Sequence, residues 1–389
     1  MQKMINQLSA DNKNISEIDA DADGNHRYKT VIIMAGGTGG HIFPGLAVAE
    51  RLIEQNWSVS WMGSAGGMEE KIVKNAKIDI DLISVAGLRG KGVMGWLIAP
   101  FRLLFSIYQA VKVLRKRKCS LVIGFGGYAS GPGGIATILL GKTLYIHEQN
   151  AVAGLTNRLL ANFSRRIFLA FPNAINKEKK TRTIGNPIRE NIIMLNRSKT
   201  IQDNNSVNIL IIGGSRGAQI FNQRLPVVLS SLIKQEIVNI HHQCGKGNIE
   251  ETLECYLSQS IKTSGKLMVN EFIDDMTIAY QWADLVICRA GALTVSEVAA
   301  VGIAAIFIPY PYAVDDHQML NAKWLVDNSA AIIVDQSEID SASTKQKIFS
   351  LVQDKNQINR LAENARKVAY LNATEEIVQA CNQAVEEVA

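Results

Sequence analysis

The residues of this chain best suited to chemistry stand in one short stretch, Gly36-Gly37-Thr38-Gly39-Gly40-His41. A histidine can take a proton from a hydroxyl near neutral pH. Glycines let a backbone approach a ligand closely, and the N–H groups at a helix start attract an anion. Together they suggest proton transfer beside a phosphate. His41 could equally cap the following helix or orient that phosphate. Glu148, in His147-Glu148-Gln149-Asn150, is the second candidate base, with the holding of a loop as its alternative role.

Two more glycine-rich turns occur, Gly124-Phe125-Gly126-Gly127-Tyr128-Ala129 and Gly213-Gly214-Ser215-Arg216-Gly217. None of the three is a dinucleotide fingerprint. One lacks the third glycine and one has the wrong spacing. The one that matches GxGxxA is not followed by an acid ending a second strand. The GxxxxGK(S/T) pattern of P-loop enzymes is absent. Asp79-Ile80-Asp81 has the letters of a metal-holding DxD pair, but IDIDLISV alternates as a half-buried strand does. No metal site is therefore expected and no cofactor is required, with stimulation by a divalent cation left open.

These groups must be positioned by the elements around them. TVIIMA (Thr30–Ala35) reads as a strand, the glycines as a loop and LAVAERLIEQ as a helix. The pattern recurs through SVSWMG, LVIGF and TLYIHEQ, and a second series opens at VNILIIGG and runs to AAIFIPYP. Short β-branched strands alternating with helices imply parallel sheets with right-handed crossovers. An α/β fold with two facing doubly wound domains follows. The boundary is expected at Asn186–Pro187, where glycine and proline punctuate the chain. The organisation expected is a disordered tail over 1–27, an N-terminal domain over 28–186, a C-terminal domain over 187–368, and a last helix over 369–389 returning to the N-terminal domain.

Composition agrees with a globular chain: 389 residues, 47% apolar and 20% charged. Five cysteines without metal-like spacing point to a reducing compartment. The net charge of +5 is unevenly placed. Between Leu82 and His147 there is no acid, while Arg102, Lys112, Arg115, Lys116, Arg117, Lys118 and Lys142 fall there. Such a stretch suggests an anionic partner or a solvated helix face.

Eight motifs in order resemble one family: GGTGGHIFPGLAVA, GLRGKG, GFGGYASGPGG, HEQNAVAGLTNR, GNPIR, GGSRGA, EFIDDM and CRAGALTVSE. Together they are similar to the MurG family, the undecaprenyldiphospho-muramoylpentapeptide N-acetylglucosaminyltransferases of bacterial cell-wall synthesis. The resemblance implies the GT-B fold with two Rossmann-like domains. It implies inverting transfer of GlcNAc from UDP-GlcNAc to the C4 hydroxyl of lipid I, giving lipid II.

Such a transfer needs a base, a stabiliser for the departing diphosphate and contacts holding both substrates in line. The residues offer His41 as base, and the helix start at 292–297 with Ser215 or Arg189 in place of a metal. The resemblance places Ser215 and Arg189 near the diphosphate and the backbone of Ile273 on uracil. It places Leu293 and Thr294 on the phosphate, within the run Ala292, Leu293, Thr294, Val295, Ser296 and Glu297, with Glu297 accepting both ribose hydroxyls. Thr38, Gly39, Gly40, Asn150 and Gln318 would line the sugar, with Asp315 or Asp316 sharing the work of Gln318. Gly36, Gly37, Gly126, Gly127 and Tyr128 are read as facing the acceptor diphosphate.

The acceptor is a lipid. The run 92–111 is long enough to span a bilayer, but Gly95, Pro100 and Arg102 interrupt it. A loop and helix dipping into the lipid interface through Trp96, Leu97, Ile98 and Phe101 is the reading adopted. Lys116 and Arg117 would meet anionic headgroups. The partners expected are UDP-GlcNAc, lipid I, an anionic membrane surface and other cell-wall synthesis proteins. The place is the cytoplasmic face of the bacterial inner membrane, held peripherally. Nucleic acid is disfavoured, because the basic run lacks interleaved aromatics. The competing readings are a UDP-GlcNAc 2-epimerase-like GT-B enzyme, which needs no lipid surface, and a non-catalytic nucleotide-binding scaffold.

Overall fold

A computed structural model describes residues 29–85, 92–177, 179–195, 206–214, 217–262 and 265–387; of residues 92–97 and Val314 it describes only the backbone. The 1–27 tail and Ser215 lie outside the described residues, as do the side chains of Trp96 and Leu97.

The first sheet contains β1 (Thr30–Ala35), β2 (Ser58–Ser64), β3 (Asp79–Ile83), β4 (Leu121–Gly126), β5 (Thr143–Glu148), β6 (Arg166–Leu169) and β7 (Thr181–Thr183). Its order is β3-β2-β1-β4-β5-β6-β7, and every pairing is parallel. The second contains β8 (Val207–Ile212), β9 (Val238–Gln243), β10 (Leu267–Asn270), β11 (Leu285–Cys288), β12 (Ala304–Phe307) and β13 (Ile332–Ile333). Its order is β10-β9-β8-β11-β12-β13, again parallel.

Strands covered by helices on both faces need apolar side chains on both. In β1, Val31, Ile33 and Ala35 join one core while Ile32 and Met34 join the core behind. In β8, Val207, Ile209 and Ile211 face one way and Leu210 and Ile212 the other. The last helix, Ala373–Glu386, packs Ile377, Val378 and Cys381 into the core of the first sheet. Ion pairs Arg51–Glu375 and Arg182–Glu376 hold it there.

Two points in this topology position the site. Strand order reverses between β1 and β4 in the first sheet and between β8 and β11 in the second. A crevice opens outside the carboxyl ends of the strands at such a switch point. The segments after β1, β4, β8 and β11 carry glycines, at 36–40, 126–127, 213–214 and 291.

Residues 92–117 form one 26-residue helix, not a loop and a helix. Pro100 sits inside it and removes one backbone donor without ending it. Among the described residues no helix is long and apolar enough to cross a membrane.

Candidate active site

The N-terminal half of the site starts at the end of β1. Thr38 is the N-cap of the Gly39–Glu54 helix, but its side chain does not cap it. Its Oγ1 lies 3.2 Å from His41 Nδ1 instead, fixing the imidazole. The half-buried ring lies against Gly126, where a Cβ would come within 3.0 Å of Nε2. Burial lowers the His41 pKa to about 4; the Gly36 carbonyl and Glu69 pull it up, and His317 across the cleft pushes it further down. The expectation that His41 titrates near neutrality is thus corrected: it is neutral at pH 7, held by the Thr38 hydroxyl and the Gly36 carbonyl.

Part of the expected phosphate cradle is turned inward. The Gly37 N–H donates to Glu69 Oε2 at 3.1 Å, and the Gly126 N–H to Ser130 Oγ at 3.1 Å. Neither N–H is available to an acceptor diphosphate. Gly127 has φ +86°, and any Cβ there would collide with the Gly36 carbonyl. Gly36 and Gly127 therefore let two turns touch. Thr38 and Tyr128 are exposed, and Gly39 and Gly40 are half-buried at an uncapped helix start. A helix leaves its first N–H groups without backbone partners.

Glu148 is corrected more sharply. Its carboxylate is buried and accepts from Asn150 N at 3.0 Å, Asn157 Nδ2 at 2.9 Å and Gly154 N at 3.2 Å. Burial raises its pKa against these bonds. Its lone pairs hold the 150–157 loop, so the loop-holding alternative replaces the base. That loop presents Asn150, whose Oδ1 accepts from Asn321 Nδ2 at 3.3 Å.

The C-terminal half is built on the Ala292–Val301 helix. Its N-cap, Gly291, supplies no side-chain cap, so the N–H groups of residues 292–294 are left at the cleft. Leu293 and Thr294 are half-buried there. Val295 is not: its side chain is in the core and its N–H donates to the Gly291 carbonyl. The Ser296 hydroxyl accepts from Asn186 Nδ2 at 2.9 Å. Both residues hold the helix instead of reaching the cleft.

Glu297 is buried, with Tyr280 donating to Oε2 at 3.0 Å and Arg189 Nη2 3.6 Å from Oε1. Burial raises its pKa, and Arg189 and Tyr280 oppose the rise. The Arg189 guanidinium also lies 5.7 Å from the Phe43 ring of the first domain, so it stands between the halves. Ile273 lies half-buried in the turn after β10. Gln318 Oε1 accepts from Tyr310 N at 2.9 Å. Asp315 sits 4.0 Å from Arg158 in an exposed pair across the cleft.

Three residues were missed in the sequence. Arg289, at the carboxyl end of β11, donates to the Ile308 and Pro309 carbonyls at 2.9 and 3.1 Å and to Gln336 Oε1 at 2.7 Å. These are neutral oxygens, so its charge is not cancelled by them. With Gln318 and Gly217 it lines a cavity of about 360 Å³. Asn321 is fully buried and joins the domains, accepting from Ala151 N at 2.8 Å and donating to the Ala290 carbonyl at 3.2 Å. Its place one helical turn after Gln318 was the available signal. Tyr280, behind Glu297, left no signal in the local pattern.

The DxD letters are accounted for. Asp79 and Asp81 lie on β3, and Arg117 pairs with both, at 2.8 and 2.6 Å, while Lys116 reaches Asp81 at 3.2 Å. Lys116 and Arg117, expected to meet headgroups, thus already have carboxylate partners, although the Lys116 side chain stays 69% exposed. Among the described residues no three His, Cys, Asp or Glu converge as a metal site.

Residues 31–169 match the glycosyltransferase family 28 N-terminal domain and residues 208–381 the family 28 C-terminal domain. The UDP-N-acetylglucosamine–N-acetylmuramyl-(pentapeptide) pyrophosphoryl-undecaprenol N-acetylglucosamine transferase of Psychromonas ingrahamii is 46% identical over 357 residues, covering 92% of this chain and 99% of that protein. The crystal structure of Acinetobacter baumannii MurG superposes with a TM-score of 0.76 at 40% identity, over 91% of this chain and 99% of that one. A putative UDP-N-acetylglucosamine 2-epimerase from Listeria monocytogenes has a TM-score of 0.66 at 12% identity, over 93% of this chain and 98% of that one, and shares the fold alone. With both halves matched in order and the relatives covered nearly end to end, the chain belongs to glycosyltransferase family 28.

Proposed function

We infer that this protein transfers N-acetylglucosamine from UDP-GlcNAc to the C4 hydroxyl of the N-acetylmuramyl unit of lipid I, with inversion, forming lipid II for peptidoglycan. The observation that carries the reading is the pair of switch-point crevices. One holds a neutral histidine beside an uncapped helix start; the other holds a buried carboxylate beside a second one. The near full-length likeness to transferases of that name supports the substrates.

In this reading, His41 takes the proton of the acceptor hydroxyl as oxygen attacks the sugar carbon, and Thr38 holds the ring in place. The leaving UDP carries its charge into the N–H groups of 292–294, with Arg189 and Arg289 nearby and the Ser215 hydroxyl, by the resemblance, as a further donor. Glu297 accepts the ribose hydroxyls and the Ile273 backbone meets uracil. Gly39, Gly40, Asn150 and Gln318 line the sugar. Gly36, Gly126 and Gly127 shape the acceptor side, and Tyr128 and the Thr38–Gly40 amides face the diphosphate.

The deciding assay supplies UDP-GlcNAc and a short-chain lipid I analogue and follows the disaccharide product. Conversion of UDP-GlcNAc without acceptor would favour an epimerase, and binding without turnover a scaffold. No cofactor is required in this reading. Because N–H groups and arginines receive the leaving charge, EDTA is expected to reduce transfer only modestly. Complete loss, restored by one divalent ion, would overturn the metal-free reading.

Peripheral attachment at the cytoplasmic face of the inner membrane completes the proposal. Phe101, Leu104, Phe105 and Tyr108 are exposed at i, i+3, i+4 and i+7 of the Gly92–Arg117 helix, forming one outward apolar stripe, with Ile98 a turn before it. Lys112 lies over the Tyr108 ring at 4.7 Å. Leu155, Leu159 and Phe163 are also exposed beyond the neighbouring Ser130–Leu139 helix. Burying one phenyl ring in lipid is worth about 2 kcal/mol. Phe101→Ser with Phe105→Ser should therefore weaken vesicle binding at least tenfold, roughly 1.4 kcal/mol per decade, and spare turnover of a water-soluble acceptor analogue. Unchanged vesicle sedimentation would remove this surface from the proposal. Lipid II supply links the activity to cell shape and division, and other cell-wall synthesis proteins are the partners such a membrane face would meet.

A further inference from the structure

The catalytic reading leaves one enclosed charge unused. Glu69 is 0% exposed, more deeply placed than Glu148 or Glu297. Its Oε1 accepts from the Ser64 N–H at 2.8 Å and its Oε2 from the Gly37 N–H at 3.1 Å. Among the described residues no cation pairs with it, and these two backbone N–H groups solvate the carboxylate. It lies in the first turn of the Met68–Asn75 helix, where the helix dipole favours an anion. Gly36, Gly63 and Gly67 surround it, and a Cβ on any of them would strike its side chain. One carboxylate thus ties together the ends of β1 and β2 and the start of a helix.

An acid beneath a phosphate-facing turn is at first sight misplaced. Its effect depends on which amide it takes. By holding the Gly37 N–H inward, at φ +88°, it directs the chain so that Thr38, Gly39 and Gly40 follow with their amides at the uncapped helix start. Thr38 also meets His41 through its hydroxyl. Without the carboxylate, the Gly37 peptide has no internal partner and can turn toward the cleft, moving Thr38 with it.

We propose that Glu69 is a positioning residue for the acceptor half of the site: it selects which amides of the glycine turn face the acceptor, without touching substrate. The role rests on the acceptor assignment made above. Glu69→Gln keeps the shape but replaces one acceptor oxygen by a donor, so one of its two N–H partners is lost. A charge-assisted bond of this kind typically counts for about 10- to 100-fold.

The test uses the full chain as wild type, Glu69→Gln and Glu69→Asp. Hydrogen exchange of the peptide spanning residues 36–41 reads the turn directly and needs no activity. Glu69→Gln should speed exchange there while leaving the 292–297 peptide unchanged. With the lipid I analogue, kcat/KM for acceptor should fall about 10- to 100-fold while affinity for the donor nucleotide UDP, measured by calorimetry, holds. Glu69→Asp keeps the charge and should recover part of the loss. Unaltered exchange at 36–41 overturns the inference, whatever the activity. So does a parallel loss of donor affinity and melting temperature in both variants, which marks a general structural role. An inactive wild type would sink the transferase reading, while the exchange result would still decide whether Glu69 sets the turn.

Discussion

His41→Ala is expected to lower kcat by roughly 10²–10⁴ while leaving UDP-GlcNAc affinity close to that of the parent. Among the described residues the ring's hydrogen-bond partners are Thr38 Oγ1 and the Gly36 carbonyl, both on the acceptor side. The pH profile sharpens the test. Burial lowers the His41 pKa to about 4, with the Gly36 carbonyl and Glu69 opposing the fall and His317 adding to it. A base must be unprotonated to act, so the acid limb of kcat/KM for the free enzyme should lie near that value. An ordinary histidine would place it near 6.5. A limb near 6.5, or a variant whose kcat hardly changes while acceptor KM rises, would make His41 an orienting group and move the base elsewhere.

Glu297→Ala should weaken UDP-GlcNAc binding by roughly 10²–10⁴, because two charge-assisted bonds to ribose are lost at about 1.5–3 kcal/mol each. The carboxylate is prepared for that task. Tyr280 fixes one oxygen at 3.0 Å and Arg189 stands 3.6 Å from the other, leaving lone pairs toward the cleft. Glu297→Gln retains an acceptor for Tyr280 and isolates the contribution of charge. Burial raises the Glu297 pKa. Donor affinity should therefore begin to fall, as pH is lowered, at a higher pH than an exposed glutamate would set. Calorimetric titration of UDP-GlcNAc with a parallel melting curve checks both. Unchanged affinity in the alanine variant with an intact melt would remove Glu297 from the donor site.

The local pattern of the sequence determined the two parallel sheets and the places where ligands meet them. A β-branched strand followed by glycines and an apolar-periodic helix encodes its unit within some twenty residues. The crevices fall at the turns after β1, β4, β8 and β11 for the same reason. His41 stood out because it sits within such a turn, while Thr38, Arg189 and Glu297 entered through the resemblance of their motifs. What local pattern does not hold is which distant segment shares a buried charge. Glu148 read as either a second base or a loop holder, and only the folding of the loop 150–157 onto its carboxylate separates the two. Lys116 and Arg117 read as cations for headgroups, and the pairing of both with β3, where Asp79 and Asp81 lie 35 to 38 residues away in the chain, was not legible.

Protonation was beyond the sequence too. The number and closeness of atoms around an imidazole set its desolvation, and those around His41 come from the turns after β1 and β4, with His317 of the second domain acting on it as well. Glu69 and Asn321 show the same dependence at its strongest. Each is an ordinary polar residue on a helix by its sequence, and each becomes a joint only where chain ends meet: β1 with β2 at Glu69, and the two domains at Asn321. Periodicity along the chain determined the elements and the turns; the enclosure of charge between elements, which fixes what each polar group can still bind, was decided only by their packing.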